Sequence, residues 1–178
     1  MTAQAISTRE LLVHIALGHD LGQEVIDWAC ELLVQGKSSK HLAYVAGYTL
    51  QVKNQNLEEF RTDLSLAIQE LDLKLPDIKQ AYSDYACMLC SDYLEGRLSQ
   101  RSALNSLYAI WVDTNFDPNL RFDNRYDVWL YLEDSIQLSE EEYGPLLSVF
   151  KGINIANQEA YFRKEAEAFL KKYQADYI

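Results

Sequence analysis

Apolar residues recur along this chain at three- and four-residue intervals almost from end to end, the period of amphipathic helices. Ser7 followed by Glu10 has capping-box spacing and predicts a first helix to about Leu17. Asp20 is placed to cap a second, carrying Leu21, Val25, Ile26, Trp28, Ala29, Leu32 and Leu33, and Gly36 closes it. Ser38 or Ser39 opens a third with Leu42, Val45 and Ala46 inward, and Asn56 with Glu59 opens a fourth with the stripe Leu57, Phe60, Leu64, Ile68 and Leu71. Pro76 suits the first turn of a fifth helix that runs to Gly96. Ser99 starts a sixth, Asp123 a seventh around Val128, Trp129 and Leu132, and Ser139 with Glu142 an eighth. Asn154 or Asn157 begins the last, which ends near Tyr173. The stretch VDTNFDPNLRFDNR is the one long irregular connection, and no alternating run is long enough for a strand.

The expectation is therefore an all-α fold of about eight or nine helices, mostly antiparallel neighbours, with a loosely HEAT-like stack as the variant. At 178 residues, 48% of them hydrophobic, the chain suits one domain over 1–178 that needs neither disulfide nor metal to be stable. The start, MTAQAISTRE, lacks a basic segment followed by an apolar core, so no signal peptide is expected. No run approaches the roughly 18 apolar residues of a membrane span. With three cysteines and no export signal, the expected setting is a reducing cytoplasm.

Charge narrows the partners. A net charge of −11 repels phosphate backbones, so direct nucleic-acid binding is not expected, whereas a basic protein partner is favoured. The excess is uneven. Between Asp113 and Glu142 stand nine acids against Arg121 and Arg125, a net −7. The same window holds Phe116, Phe122, Tyr126, Trp129, Tyr131 and Tyr143. Acids steer a cationic partner from a distance, and aromatic rings supply anchor area at low entropy cost. Phe122, Asp123, Tyr126, Asp127, Trp129, Glu133 and Asp134 are the expected contact residues. The competing explanation is that the acids occupy first helical turns and solvated faces, and that the rings are core.

Two features could carry chemistry instead. Cys87 and Cys90 form a Cys-x-x-Cys pair. At about 100° per residue, Ile78, Tyr82, Tyr85 and Leu89 fall within about 40° of one direction, and Cys87, Cys90 and Leu94 near the opposite one. That is a helix packed on two sides. A redox pair needs a helix N-terminus, and Pro76 and Asp77 lie about three turns earlier. Zinc needs two further ligands, and Cys30, His14, His19 and His41 form no second close pair. Both thiols are expected in the core. Glu24, Asp27, Asp92 and Glu95 form two i, i+3 pairs, the pattern by which facing helices hold Mg²⁺ in all-helical nucleotide pyrophosphohydrolases, but solvated faces explain them as well. No Gly-rich phosphate loop, nucleophile elbow or His-Glu-x-x-His is present. No cofactor and no catalysis are expected.

DLGQEVIDWACELLVQGKSSKHLAYVAG (20–47), then LEEF, ELDLKLP and YLEGRLS, follow an order that resembles small acidic helical bacterial immunity proteins, such as those of contact-dependent inhibition systems. The resemblance covers about residues 20–99. Its shared positions, Trp28-Ala29, Gly36, Ser39, Leu42, Ala46-Gly47, Leu71, Pro76 and Gly96, are of the kind that preserves a fold. It implies a cytoplasmic inhibitor that binds a cognate toxin C-terminal domain, with a general interaction adaptor as the alternative. Tyr and Trp residues on the surface would equally serve a homodimer.

Overall fold

The computed structural model describes residues 6–117, 120, 124–138, 149–150 and 152–173. Among these residues there are nine α-helices and no strand. They are α1 (Thr8–Ala16), α2 (Gln23–Val34), α3 (Lys40–Gly47), α4 (Leu50–Gln55), α5 (Leu57–Glu70), α6 (Ile78–Leu94), α7 (Gln100–Phe116), α8 (Asp127–Leu138) and α9 (Gln158–Tyr173), with a 3₁₀ turn at Asn124–Tyr126 before α8. The all-α expectation holds. The expected helix opened by Ser139 and Glu142 lies outside the described residues.

Local chemistry fixes several of the helix ends. Ser7 Oγ accepts from the Glu10 amide at 3.2 Å while Glu10 Oε2 accepts from the Ser7 amide at 2.8 Å, a complete capping box. Ser39 and Ser99 cap α3 and α7 by accepting from the Leu42 and Ser102 amides. Gly36 and Gly96 sit at φ +82° and +76°, which lets the chain reverse after α2 and α6 with the paired backbone bonds of a Schellman close.

Two of the expected helix starts are corrected, and one helix is added. The residue before α2 is Gly22, not Asp20, because the Asp20 carboxylate is taken by Lys53 Nζ at 3.1 Å. Helix α4 was not anticipated; Thr49 caps it by accepting from the Val52 amide at 3.3 Å. Asn56 immediately precedes α5, as expected, although its side chain donates back to the Val52 carbonyl and makes no cap bond. Pro76 lies outside α6, and Asp77 Oδ1 caps that helix through the Gln80 amide at 2.9 Å.

The chain divides after Ala81 into two compact units. In the first, α3 packs on α2 and α5, and the core joins Leu11, Trp28, Leu42, Val45, Phe60 and Leu64. Trp28 is 2% exposed, and its indole N–H is satisfied by Thr8 Oγ1 at 3.0 Å, so a large apolar surface is buried without an orphaned donor. In the second, α7 packs on α8, and Cys87, Cys90 and Leu107 close around Trp129, Phe162 and Phe169. The two thiols are buried, as their shared place on the second apolar flank of the helix predicts. Burial first, and then the neighbouring Cys87, push the Cys90 thiol far above its ordinary value, the reverse of what a reactive cysteine requires.

Candidate functional site

The acidic segment sorts into core and surface, and not as the composition suggested. Tyr126 and Trp129 are 1% and 0% exposed. Trp129 lies 5.3 Å from Phe169 and 6.0 Å from Phe162, ring centre to ring centre, so positions 129, 132 and 136 form the inward stripe of α8. These two rings are core residues, and the expectation that they anchor a partner is corrected. Glu133 is also buried. Its carboxylate accepts from Arg101 at 3.0 Å and from Gln137 Nε2 at 2.7 Å, so its charge is neutralised within the protein. Asp127 Oδ1 accepts from Trp111 Nε1 at 3.1 Å and ties α8 to α7. Among the described residues of the expected set only Asp134 is exposed, flanking the partly exposed Tyr131 one turn away. Phe122 and Asp123 lie outside the described residues.

Three of the four carboxylates weighed for Mg²⁺ are engaged otherwise. Asp92 accepts from Arg97 Nε at 2.8 Å, Glu95 pairs with the same guanidinium, and Asp27 accepts from Gln23 Nε2 at 3.0 Å. Among the described residues no group of three or more His, Cys, Asp or Glu is placed to hold a metal ion. Among them, too, no helix is long and apolar enough to cross a membrane.

A surface bearing both carboxylates and rings does exist, in the first unit. An open groove of about 620 Å³ runs between α3, α4 and α5, lined by Tyr44, Tyr48, Val52, Glu59 and Asp63 among others. Its side-chain positions follow from helix geometry. Glu59 and Asp63 are one turn apart on α5, beside the buried stripe of Phe60 and Leu64, so both carboxylates reach the same rim. Gly47 ends α3 with no atom within 4 Å of where a Cβ would stand, which keeps that end of the groove clear. Tyr48 packs edge-on to Phe60 at 5.1 Å and donates its hydroxyl to Asp63 Oδ2 at 3.0 Å. Burial, the Asp63 bond and the charges of Asp63 and Glu59 push the Tyr48 hydroxyl up to about 12. It thus stays a neutral donor across physiological pH.

Among the described residues neither Glu59 nor Asp63 is paired with Lys or Arg. Like charges one helical turn apart repel, and a cation arriving from outside would relieve that repulsion. Tyr44 is 49% exposed, with Lys40 Nζ 5.6 Å from its ring centre, so that face already accepts a cation. The combination offers two anionic acceptors and two rings to a guanidinium or ammonium group.

Sequence reasoning missed this groove for two reasons. Its α4 wall is only six residues long and carries no readable period; Thr49 three residues before Val52 was the available signal. The other walls come from separate helices, so no single window contains them. Comparison with protein-family models, curated proteins and solved structures finds no match to the chain.

Proposed function

We propose that this protein is a non-catalytic inhibitor, an immunity protein that binds a cognate, basic bacterial toxin domain and blocks it. The observation that carries the reading is the groove between α3, α4 and α5, where Glu59 and Asp63, with no Lys or Arg partner among the described residues, border Tyr44 and Tyr48. These residues fall inside the stretch 20–99 that resembles immunity proteins. Toxins that cut nucleic acid must hold phosphates and so carry Lys and Arg on the working face. An acidic ring-lined groove competes for those same side chains. The Tyr44 ring takes one through its π face, and Glu59 and Asp63 accept its N–H groups. Long-range attraction from the net charge of −11 speeds the encounter.

The test is co-expression with the product of the neighbouring reading frame, which this reading expects to be a toxin domain. The reading requires that growth is rescued and that the two chains co-purify. Rescue without a complex, or no rescue at all, rejects it. A complex without rescue makes the protein an adaptor instead.

A further inference from the structure

A second concavity, independent of the toxin-binding reading, lies in the same unit. It is a cleft of about 510 Å³, within the size range of small-molecule sites. Leu57, Phe60, Leu64, Ile68, Leu73 and Leu75 supply its apolar lining. Leu75 is 49% exposed, so part of this lining faces solvent. Its charged lining is Lys53, Arg61 and Asp20, a local net +1 on a chain of net −11.

Lys53 is the unusual member. It comes from the short helix α4, yet it is 2% exposed and runs inward beside Phe60, with Nζ 5.4 Å from that ring's centre. Ammonium groups are almost never this buried unless they are paired. The pairing here is partial. Nζ donates to Asp20 Oδ1 at 3.1 Å and to the Leu21 carbonyl, and Asp20 is itself 73% exposed. An ammonium has three N–H donors, so among the described residues one is left without an oxygen acceptor. Arg61 shares the lining and is paired with Glu58 at 3.1 Å across exposed surface.

An apolar trough with a buried ammonium and a guanidinium suits one chemistry. We infer that the cleft binds a linear anionic amphiphile, a medium-chain carboxylate, with the alkyl chain along the leucines and the carboxylate on Lys53 and Arg61. A neutral alkyl ligand would leave the spare N–H unused, and a cationic one would meet Lys53 directly. Because the two concavities use different faces of α5, with Glu59 and Asp63 on one and Phe60, Arg61 and Leu64 on the other, this inference stands or falls without the toxin.

Isothermal titration of the full chain with octanoate, decanoate and dodecanoate, below their micellar concentrations, tests it. Affinity should tighten about fourfold per added CH₂. Decanoate should bind at least about tenfold tighter than decanol or decyltrimethylammonium. Lys53→Met should erase that head-group preference. Should Lys53→Met fail to fold, Ser65→Trp gives a second arm, since Ser65 is exposed and lines the cleft. The added indole should fill the trough and abolish decanoate binding while leaving the circular dichroism unchanged. Absence of binding by any carboxylate, equal affinity for decanoate and decyltrimethylammonium, or undiminished binding by Ser65→Trp overturns the proposal.

Discussion

Replacing Trp129 separates a core residue from a contact residue. The indole is fully buried against Phe162 and Phe169. Burying a Trp side chain removes roughly 150–250 Å² from water. At about 25 cal/mol per Å² that is about 4–6 kcal/mol. Trp→Ala in a core typically costs about 3–5 kcal/mol, because the cavity collapses only in part. Against a total stability of about 5–15 kcal/mol, Trp129→Ala should lower the urea midpoint by about 2 M. Urea titration followed by circular dichroism reads this directly. Trp129→Phe should cost far less, below about 1.5 kcal/mol. Trp129 Nε1 has no hydrogen-bond partner among the described residues, so the phenyl ring loses area but also removes an unsatisfied donor. Tyr131→Ala, on the exposed side of the same helix, should stay within about 0.5 kcal/mol. A midpoint shift below about 0.5 M for Trp129→Ala, at unchanged slope, would refute the inward placement of this ring.

Three further outcomes follow from the same structure. Ser39→Ala and Ser99→Ala each remove a side-chain acceptor at a helix start and should each cost about 1 kcal/mol in denaturant titration. Glu70 accepts from the His41 backbone amide at 3.1 Å and from its ring at 2.6 Å; these bonds, the backbone one foremost, lower its carboxyl from 4.5 to about 2. Its folded value is depressed, so its contribution is complete above about pH 4.5 and is lost as pH falls toward 2; carbon-detected NMR titration should place its midpoint near 2, and Glu70→Gln should flatten that part of the stability profile. Native labelling with Ellman's reagent should modify Cys30 alone, and all three thiols should react in denaturant; rapid native reaction at Cys87 or Cys90 would contradict their burial.

Helices and their serine caps were readable because the signals are local. Ser7 with Glu10, Ser39 and Ser99 each act within one turn of the chain. Asp20 failed as a cap because a distant residue competed for it: Lys53 arrives from 33 positions away. The same limit misplaced the acidic surface. Trp129, Leu132 and Ile136 already have the spacing of a buried stripe, and charge counting overrode that pattern. Glu133 looked like surface from sequence, but Arg101, one helix earlier, reaches over and neutralises it. The groove was illegible because Tyr44, Tyr48, Glu59 and Asp63 meet only when α3, α4 and α5 pack. Nothing within any one helix marks their convergence.

The most direct measurement of the proposed function is the affinity of the neighbouring reading frame's product, by isothermal titration, for the wild-type chain and for two charge reversals. Glu59→Lys with Asp63→Lys should weaken binding by about a hundredfold or more, the scale expected for close charge pairs at an interface. Asp127→Lys with Asp134→Lys, on α8, should change it by no more than about threefold. Unaltered affinity in the groove variant, with its helicity intact, would contradict the assignment of the groove as the inhibitory surface.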